Sequence, residues 1–374
     1  MNVPRLRFKE FSGEWKETLV LDFAPLQRGF DLPVSTIVNG KFPVVFSNGI
    51  LKHHHEYKAA APGVVTGRSG TIGNVTYVEE NYWPHNTSLW VTDFKNNFPK
   101  FVYYFYIKFD LARFGTGSGV PTLNRNDVHS QKVFIPTLPE QTKIANFLTA
   151  VDEKIAQLTQ KGDLLALYKK GVMQQIFSQQ LRFKDDDGRE FPEWEDESLG
   201  GVGAIITGKT PSTTNISLWN GDIQFVTPTD ITEEKYQFKT QRTVENNASL
   251  KILPKNSIMF TCIASIGKMS LSVNPCITNQ QINSLVPKSS FNNEYVYYAL
   301  LSITEYIKST QANTTLPIIN KTEFSKFEIP VPSLPEQTKI ANFLTAMDRK
   351  ISHNQNQLNA LKSYKQGLLQ QMFS

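Results

Sequence analysis

The stretch LPEQTKIANFLTA occurs twice in this chain of 374 residues, at 138–150 and again at 334–346. Thirteen consecutive identities at a single offset of 196 residues indicate an internal duplication. The two copies remain similar up to their ends, which read QQIFS at 174–178 and QQMFS at 370–374. Upstream of the repeat the copies diverge. The sequence therefore predicts a variable head followed by a near-constant segment of about 40 residues, and this pair is present twice.

Each constant segment predicts a long amphipathic helix. Its apolar residues recur at spacings of three, four or seven, which is the period of one helix face. Pro139 and Pro335 suit a first helical turn, and Glu140 and Glu336 suit the positive end of the helix dipole. A helix of about 38 residues is about 57 Å long, so it needs a packing partner. The residues that we expect at the helix or partner interface are Ile144, Leu148, Val151, Ile155 and Leu165 in the first copy and Ile340, Leu344, Met347, Ile351 and Leu361 in the second.

The expected fold class is α+β. Two mixed α/β heads are joined by two long antiparallel helices that form a coiled coil, and the duplication gives a pseudo-twofold internal repeat. Stretches such as FPVVF at 42–46 and SIMFT at 257–261 predict strands, whereas FPKFVYYFYIKFDLARF at 98–114 predicts a helix. The predicted segments are a first head at 1–138, a first long helix at 139–178, a second head at 179–334 and a second long helix at 335–374.

Composition excludes several classes of protein. The two cysteines, Cys262 and Cys276, are too few for a disulfide framework or a four-ligand zinc site, and they suit a protein core. No run of 18 apolar residues occurs and the basic N-terminus lacks an apolar stretch, so we expect a soluble, cytoplasmic protein. The net charge of +5 fits an anionic partner but is common without one. The acidic stretch at 185–197 predicts a solvated linker before the second head.

The plan of two variable heads, each followed by LPEQTKIANFLTA and a long helix, resembles the specificity subunits of type I restriction-modification enzymes. The resemblance covers essentially the whole chain. GKTPSTTNISLWNGDIQFVTPTDIT at 208–232 looks like the entry segment of one kind of target-recognition domain in that family. RGFDLP at 28–33 with FPVVFSNGI at 42–50 looks like that of another kind. The resemblance implies that each head is a target-recognition domain that reads one half of a bipartite double-stranded DNA sequence, and that the chain is not itself an enzyme.

The same resemblance implies partners and cofactors. Two methyltransferase subunits would dock along the paired helices, and restriction subunits would join that core. This chain would bind no cofactor, and the partner subunits would use S-adenosylmethionine, ATP and Mg²⁺ to methylate adenine N6 and to cleave DNA. The residues agree with this division of labour. The Asn/Asp-Pro-Pro-aromatic turn that holds a flipped adenine is approached only at Asn274-Pro275-Cys276, which lacks the second proline and the aromatic residue.

Candidate DNA-binding residues lie in stretches rich in glycine and hydroxyl side chains. In TGRSGTIG at 66–73 the glycines permit close backbone approach, and Arg68 suits guanine O6/N7 or a phosphate. GTGSG at 115–119 and QANTT at 311–315 hold equivalent places ahead of the constant segments. Ordinary turn chemistry is the alternative interpretation. The candidates are Ser47, Asn48, Arg68, Ser69, Thr71, Ser118 and Arg125 in the first head and Lys209, Thr210, Ser212, Thr229, Thr261, Ser265, Asn313, Thr314 and Lys321 in the second.

Two motifs suggest other chemistry but have the wrong context. GAIITGKT at 203–210 matches the phosphate-binding pattern G-x-x-x-x-G-K-[ST], which requires a buried strand before it and a helix after it. Here a proline and hydroxyl residues follow, so we interpret the motif as a strand and a DNA-facing loop. The histidines at 53–55 lack the spacing of a zinc motif, and we expect them in a solvated loop.

Two other functions remain open at this point. The first alternative, from a different class of protein, is a coiled-coil scaffold with two protein-binding heads. The second alternative is an enzyme in which the chain itself cuts or methylates DNA, because Asp230, Glu233 and Lys235 have the composition of a nuclease carboxylate-lysine cluster. Charged residues at such spacing are frequent by chance. DNA binding separates the first alternative from the leading hypothesis, and metal-dependent cleavage by the purified chain would support the second.

Overall fold

The computed structural model describes residues 3–117, 119–247, 250–311 and 317–373. The chain forms two compact units. The first unit combines residues 1–160 with 355–374, and the second unit comprises residues 161–354. Among the described residues, no helix is long and apolar enough to cross a membrane.

The first unit is a mixed α and β structure. Its strands are β1 (Lys16–Leu19), β2 (Leu26–Arg28), β3 (Phe42–Phe46), β4 (Gly49–His54), β5 (Gly63–Gly67), β6 (Val75–Val78), β7 (Trp83–Pro84), β8 (Ser88–Val91), β9 (Gly115–Thr116), β10 (Thr122–Leu123) and β11 (Lys132–Ile135). Its helices are α1 (Val20–Phe23), α2 (Pro99–Lys108), α3 (Arg125–His129), the first part of α4 (Leu138–Phe177) and the last part of α9 (Leu334–Met372). A four-stranded antiparallel sheet has the order β2-β8-β5-β6, and a three-stranded sheet has the order β4-β3-β7. The pairs β1-β11 and β9-β10 complete the unit.

The second unit has a related arrangement. Its strands are β12 (Glu195–Ser198), β13 (Gly203–Thr207), β14 (Trp219–Val226), β15 (Tyr236–Gln237), β16 (Arg242–Val244), β17 (Ile258–Thr261), β18 (Met269–Ser272), β19 (Cys276–Thr278), β20 (Ile282–Pro287) and β21 (Glu328–Val331). Its helices are the last part of α4, α5 (Leu199–Val202), α6 (Asn293–Ser302), α7 (Thr304–Ser309), α8 (Lys321–Lys326) and the first part of α9 (Leu334–Met372). The sheets have the orders β13-β20-β17-β18-β15 and β16-β14-β19, and β12 pairs with β21.

The elements follow the local sequence closely. FPVVF is β3, and SIMFT contains β17, because β-branched and aromatic residues suit a pleated, buried strand. The predicted helix at 98–114 is α2 followed by a 3₁₀ turn at Leu111–Phe114. Both long helices have the predicted extent. The acidic linker prediction is partly wrong, because the last residues of the stretch form β12, whose backbone pairs with β21 while its acidic side chains remain accessible.

The apolar face of each long helix contributes to the core of a head. In the first unit Ile144, Leu148 and Val151 belong to the same buried cluster as Phe101 of α2, and Leu368 near the end of α9 joins them. Ile155 and Leu361 pack partly buried against this cluster. The predicted interface residues of this unit therefore contact their own head as well as the neighbouring helix.

The second unit repeats this packing. Ile340 and Leu344 of α9 share a buried cluster with Val172 and Ile176, which lie near the end of α4. Met347 is buried as well, whereas Leu165 and Ile351 are half-buried.

A buried carboxylate ties the first head to the start of α4. Glu140 is only 1% exposed. It accepts two hydrogen bonds from the guanidinium of Arg7, at 2.7 and 2.8 Å, and a third from Nε1 of Trp15 at 3.3 Å. From the sequence, the only expected interaction of Glu140 was with the positive end of the helix dipole.

The second head has the same tie at the start of α9. Glu336 is fully buried, and its two oxygens accept hydrogen bonds from Arg182 at 3.3 and 3.0 Å. Nε1 of Trp194 donates to it at 3.0 Å. The available signal was the tetrapeptide LRFK, which occurs at 6–9 and again at 181–184 and supplies both arginines.

Candidate nucleic-acid interface

Two predicted DNA-facing segments of the first unit meet at Gly67, the last residue of β5. A Cβ atom at Gly67 would lie 1.7 Å from the carbonyl oxygen of Thr71 and 2.6 Å from that of Ser47. Only glycine permits this approach, so the turn at 47–48 and the loop at 68–71 are held together. Asn48 and Thr71 are exposed, whereas Ser69 is half-buried where it forms a β-bridge to the β9-β10 hairpin. Ser118 lies outside the described residues.

Three arginines line one cavity beside that loop. Arg28, Arg68 and Arg125 border a space of about 290 Å³. Its other lining residues are Leu89, Thr116, Thr122, Leu123 and Asn124. The structure thus brings together Arg68 and Arg125, which the sequence analysis selected, with Arg28, which it missed as a DNA-binding candidate. RGFDLP, the motif that starts with Arg28, was the available signal.

Backbone hydrogen bonds identify the matching position in the second unit. The carbonyl of Arg68 accepts from the amide of Leu123 at 2.8 Å, and the carbonyl of Cys262 accepts from the amide of Ile319 at 2.9 Å. Because Leu123 and Ile319 are related by the repeat offset of 196, Cys262 occupies the place of Arg68. The same offset relates Arg125 to Lys321, the exposed first residue of α8.

The place of Arg28 is taken in the second unit by Thr207. Arg28 is paired with Leu89 across β2 and β8, and Thr207 is paired with Asn283 across β13 and β20. The hydroxyl of Thr207 donates to Oδ1 of Asn283 at 2.6 Å, and Nδ2 of Asn283 donates to Sγ of Cys262 at 3.2 Å. Neutral side chains that bond to one another therefore replace two of the three arginines.

The predicted residues of the second unit are distributed over several loops. Lys209 lines a cavity of about 430 Å³ together with Lys251, which the sequence analysis missed. Thr210 donates to Gln280 at 2.8 Å. The remaining predicted residues on exposed or half-buried loops are Ser212, Thr229 and Ser265, and Asn313 and Thr314 lie outside the described residues.

Thr261 differs from these residues because it is buried. Its hydroxyl donates to the carbonyl of Ser265 and accepts from the amide of Lys268 at 2.9 Å. The side chain thus holds the loop at 261–268 in shape, and a contact between its hydroxyl and DNA would require that loop to open.

The apparent phosphate-binding loop has no helix behind it. GAIIT forms β13, and the chain continues as a loop up to a 3₁₀ turn at Ile216–Leu218. A Cβ atom at Gly208 would lie 2.1 Å from the carbonyl oxygen of Asn279 and 2.3 Å from that of Thr278. Gly208 therefore allows two backbone segments to pack closely against each other. The interpretation as a strand followed by a loop is confirmed.

Lys235 does not join the acidic residues that precede it in sequence. Its Nζ donates to Glu294 at 3.1 Å, to the hydroxyl of Tyr298 at 3.0 Å and to Thr345 at 2.7 Å. Burial lowers the pKa of Lys235, and the nearby Glu294 opposes that shift. Asp230 instead accepts from the backbone and hydroxyl of Thr227. The arrangement is structural, and the carboxylate-lysine cluster suggested by the sequence does not form.

The histidines and cysteines also have structural positions. The expectation of a solvated loop is wrong for His53 and His54, because both pair with β3 as part of β4. His54 is buried against Trp83, with ring centroids 5.4 Å apart. Burial raises the pKa of Cys262 to about 11 and that of Cys276 to about 12, so both are core thiols, as predicted.

Comparison with known families identifies the family to which this chain belongs. The model of the type I restriction modification DNA specificity domain matches residues 13–165 and again residues 192–363. The two matches together cover most of the chain, and each contains one head with part of a long helix. The chain therefore belongs to the family of type I restriction modification DNA specificity domains.

Individual relatives agree with this assignment. The chain is 33% identical over 195 residues to the type I restriction enzyme MjaIX specificity subunit of Methanocaldococcus jannaschii, an alignment that covers 50% of this chain and 45% of the relative. It is 36% identical over 147 residues to the type I restriction enzyme HindI specificity subunit of Haemophilus influenzae, covering 37% and 32%. The chain thus spans less than half the length of these two relatives in aligned sequence.

Solved structures share the fold. The S subunit of a type I restriction-modification system from M. genitalium superposes with a TM-score of 0.68 over 100% of this chain and 99% of that chain, at 16% identity. A chain from a study of complex assembly and conformational transition of the type I R-M system gives a TM-score of 0.57 over 96% and 97%, also at 16% identity. At these identities the likeness concerns the fold.

Proposed function

We propose that this chain is the DNA specificity subunit of a type I restriction-modification complex, and that each unit reads one half of a bipartite double-stranded target. The observation that carries the proposal is that two heads share one backbone frame but present different side chains. Arg28 and Arg68 of the first unit correspond to Thr207 and Cys262 of the second. Two heads that dock on DNA in the same way but carry different side chains suit two different half-sites. Base edges are distinguished by their hydrogen-bonding patterns, so different side chains select different bases.

We further infer that α4 and α9 pair as an antiparallel coiled coil with pseudo-twofold symmetry, and that this pair sets the unspecified gap of the target. Support comes from matching ion pairs. In the first unit Lys365 contacts Asp152 at 2.5 Å, and in the second unit Lys169 contacts Asp348 at 2.5 Å. In both pairs an early residue of one long helix meets a late residue of the other.

The proposed partners are two methyltransferase subunits and the restriction subunits, in the cytoplasm. Leu164, Leu167 and Tyr168 on α4 and Tyr364 on α9 are each more than half exposed. Such apolar side chains on long helices favour a protein partner that covers them. S-adenosylmethionine, ATP and Mg²⁺ would be used within those partner subunits, and this chain would supply the DNA sequence specificity and no catalytic group.

The test is a genome-wide map of N6-methyladenine in cells that express the partner methyltransferase with and without this chain. We expect one bipartite motif that appears only when the chain is present. As a control, the methyltransferase must methylate DNA when combined with another specificity subunit. Absence of a chain-dependent motif in that setting would favour a scaffold with protein-binding heads.

Exchange of one head tests the assignment of half-sites. Replacing the second head, between the two long helices, with that of a relative should change one half of the motif and leave the other half intact. Both long helices are retained, so the gap should stay constant. An unchanged motif after a folded exchange would contradict the proposal.

A further inference from the structure

The three-arginine cavity of the first unit carries a more specific inference, which rests on the proposed function. We propose that Arg28, Arg68 and Arg125 jointly bind one phosphate of the DNA backbone at the first half-site. The cavity volume of about 290 Å³ lies at the small end of ligand pockets and leaves room for a phosphate group among the three side chains. The site would fix the position of the first head on the duplex, whereas nearby loops read base edges.

Charge is the first argument for a phosphate. Arg28 pairs with Asp31 at 2.9 Å, but both side chains are more than half exposed, so this pair holds Arg28 weakly. Within the ranges that the structure describes, neither Arg68 nor Arg125 forms an ion pair with a protein carboxylate. One carboxylate against three guanidinium groups leaves the cavity wall positively charged. An anion that enters it would neutralise that excess.

Geometry is the second argument. A guanidinium fork matches the oxygens of a phosphate, and several forks can share one phosphate because it carries charge on more than one oxygen. A guanine edge offers only O6 and N7, which a single arginine satisfies. Three arginines that border one small space therefore exceed what one base edge can accept. A backbone phosphate is the group that uses all three.

Among its described residues, the second unit has no matching group of three arginines. Thr207, Asn283 and Cys262 fill the corresponding place and hydrogen-bond to one another. Lys321, at the position of Arg125, keeps one positive charge at the exposed start of α8. Over the residues that the structure describes, the two heads thus differ in how they would hold the duplex, and the shared phosphate site belongs to the first.

The experiment measures the salt dependence of DNA binding by the full chain assembled with its methyltransferase. The probe is an unmethylated duplex that contains the motif found by the methylation map. Its dissociation constant is measured by fluorescence anisotropy between about 50 and about 200 mM salt. We expect the triple variant Arg28→Gln, Arg68→Gln and Arg125→Gln to reduce the magnitude of the slope of log K against log salt by about 0.9, the contribution of one phosphate. The triple lysine variant should retain most of the slope, because it keeps the charges.

A matched control removes three charges elsewhere in the first unit. Lys95, Lys132 and Lys143 each pair with a protein carboxylate, at 2.9, 2.8 and 3.1 Å. Their triple replacement by glutamine should leave the slope unchanged. Thermal unfolding of every variant shows that the head is folded.

Three results would overturn the shared phosphate site. An unchanged slope in the folded glutamine variant excludes a phosphate contact. A reduction near 2.7, three times the single-phosphate value, indicates three separate phosphates. Loss of affinity for the first half-site alone, at constant slope, indicates base reading. If the wild-type assembly binds no specific duplex, the proposed function itself fails, and that outcome is seen before any variant is made.

Discussion

At the scale of single residues, two buried carboxylates connect the variable heads to the constant helices. Glu140→Gln removes the charge that pairs with Arg7, and Glu336→Gln does the same for Arg182. We expect each change to lower the free energy of unfolding by about 2–3 kcal/mol, because a charged hydrogen-bond partner is lost in a buried site. Urea denaturation measures the effect.

The control for these variants is Glu10→Gln. Glu10 pairs with Lys143 at 3.1 Å, but both side chains are about half exposed. A solvent-exposed pair contributes little to stability, so this variant should have a small effect. Equal losses at Glu10 and Glu140 would contradict a special role for the buried carboxylate.

A second pair of residues tests the correspondence between the heads. Gly70 has φ +82° and Ala264 has φ 60°, and their amides bond to Pro121 and Pro317, which the repeat offset relates. Gly70→Ala should lower the free energy of unfolding by about 1 kcal/mol, because an L side chain is strained in left-handed backbone. Ala264→Gly should raise it by up to about 1 kcal/mol. If both substitutions shift the melting temperature in the same direction, the correspondence between Gly70 and Ala264 is refuted.

At the scale of elements, α3 gives the first unit an acid sensitivity. The amide of Leu26 in β2 donates to Nε2 of His129 at 2.9 Å, which requires that nitrogen to be unprotonated. Burial lowers the pKa of His129 below its ordinary value of 6.5, and Arg125 lowers it further. The folded-state pKa is below the unfolded one, so this stabilisation is present above pH 6.5 and is lost as the pH falls towards the folded-state pKa.

The measurement compares urea midpoints of the wild type and His129→Gln at about pH 7.5 and about pH 5.5. Glutamine also offers an acceptor to the Leu26 amide but does not titrate in this range. We expect the wild type to lose more stability on acidification than the variant. Burial also lowers the pKa of His85, so the variant should retain part of the pH dependence. Identical pH dependence in both proteins would exclude the role of His129.

A tyrosine hydroxyl anchors α2 and another anchors α6, but the two hydroxyls have different hydrogen-bond partners. Tyr104 of α2 donates to Asp152 at 2.8 Å, and Tyr298 of α6 donates to Asp348 and also accepts from the buried Lys235 at 3.0 Å. Tyr298→Phe should therefore destabilise the protein by about 1–3 kcal/mol, and Tyr104→Phe by about 1 kcal/mol. Denaturant unfolding of both variants checks the order, and a larger loss at Tyr104 would be inconsistent with the buried network.

At the scale of the whole molecule, the duplication made the two long helices predictable. The predicted helix at 139–178 is α4, Leu138–Phe177, because a strict apolar period and the helix-starting proline determine its extent locally. Strand interiors such as β3 were predictable for a similar reason, since β-branched and aromatic residues cluster there. The family resemblance rested on the same repeated plan.

The candidate site was less accessible from sequence. Arg28 and Arg125 are 97 positions apart, and only the pairing of β2 with β8 and the position of α3 bring them to Arg68. The correspondence between Arg68 and Cys262 is likewise recognised from backbone hydrogen bonds and not from the sequence. Thr261 shows the opposite error, because a hydroxyl selected as a DNA contact is buried at the end of β17. Long-range contacts decide these positions, and local patterns do not contain them.

The repeated ties of Glu140 and Glu336 have an evolutionary consequence. They anchor each head through residues that are not part of the candidate reading loops, which in the first unit lie at 47–48 and 68–71. Natural selection can therefore act on target choice and on folding through separate sets of residues. Under the proposed function, substitutions in those loops would change the half-site without removing either buried tie.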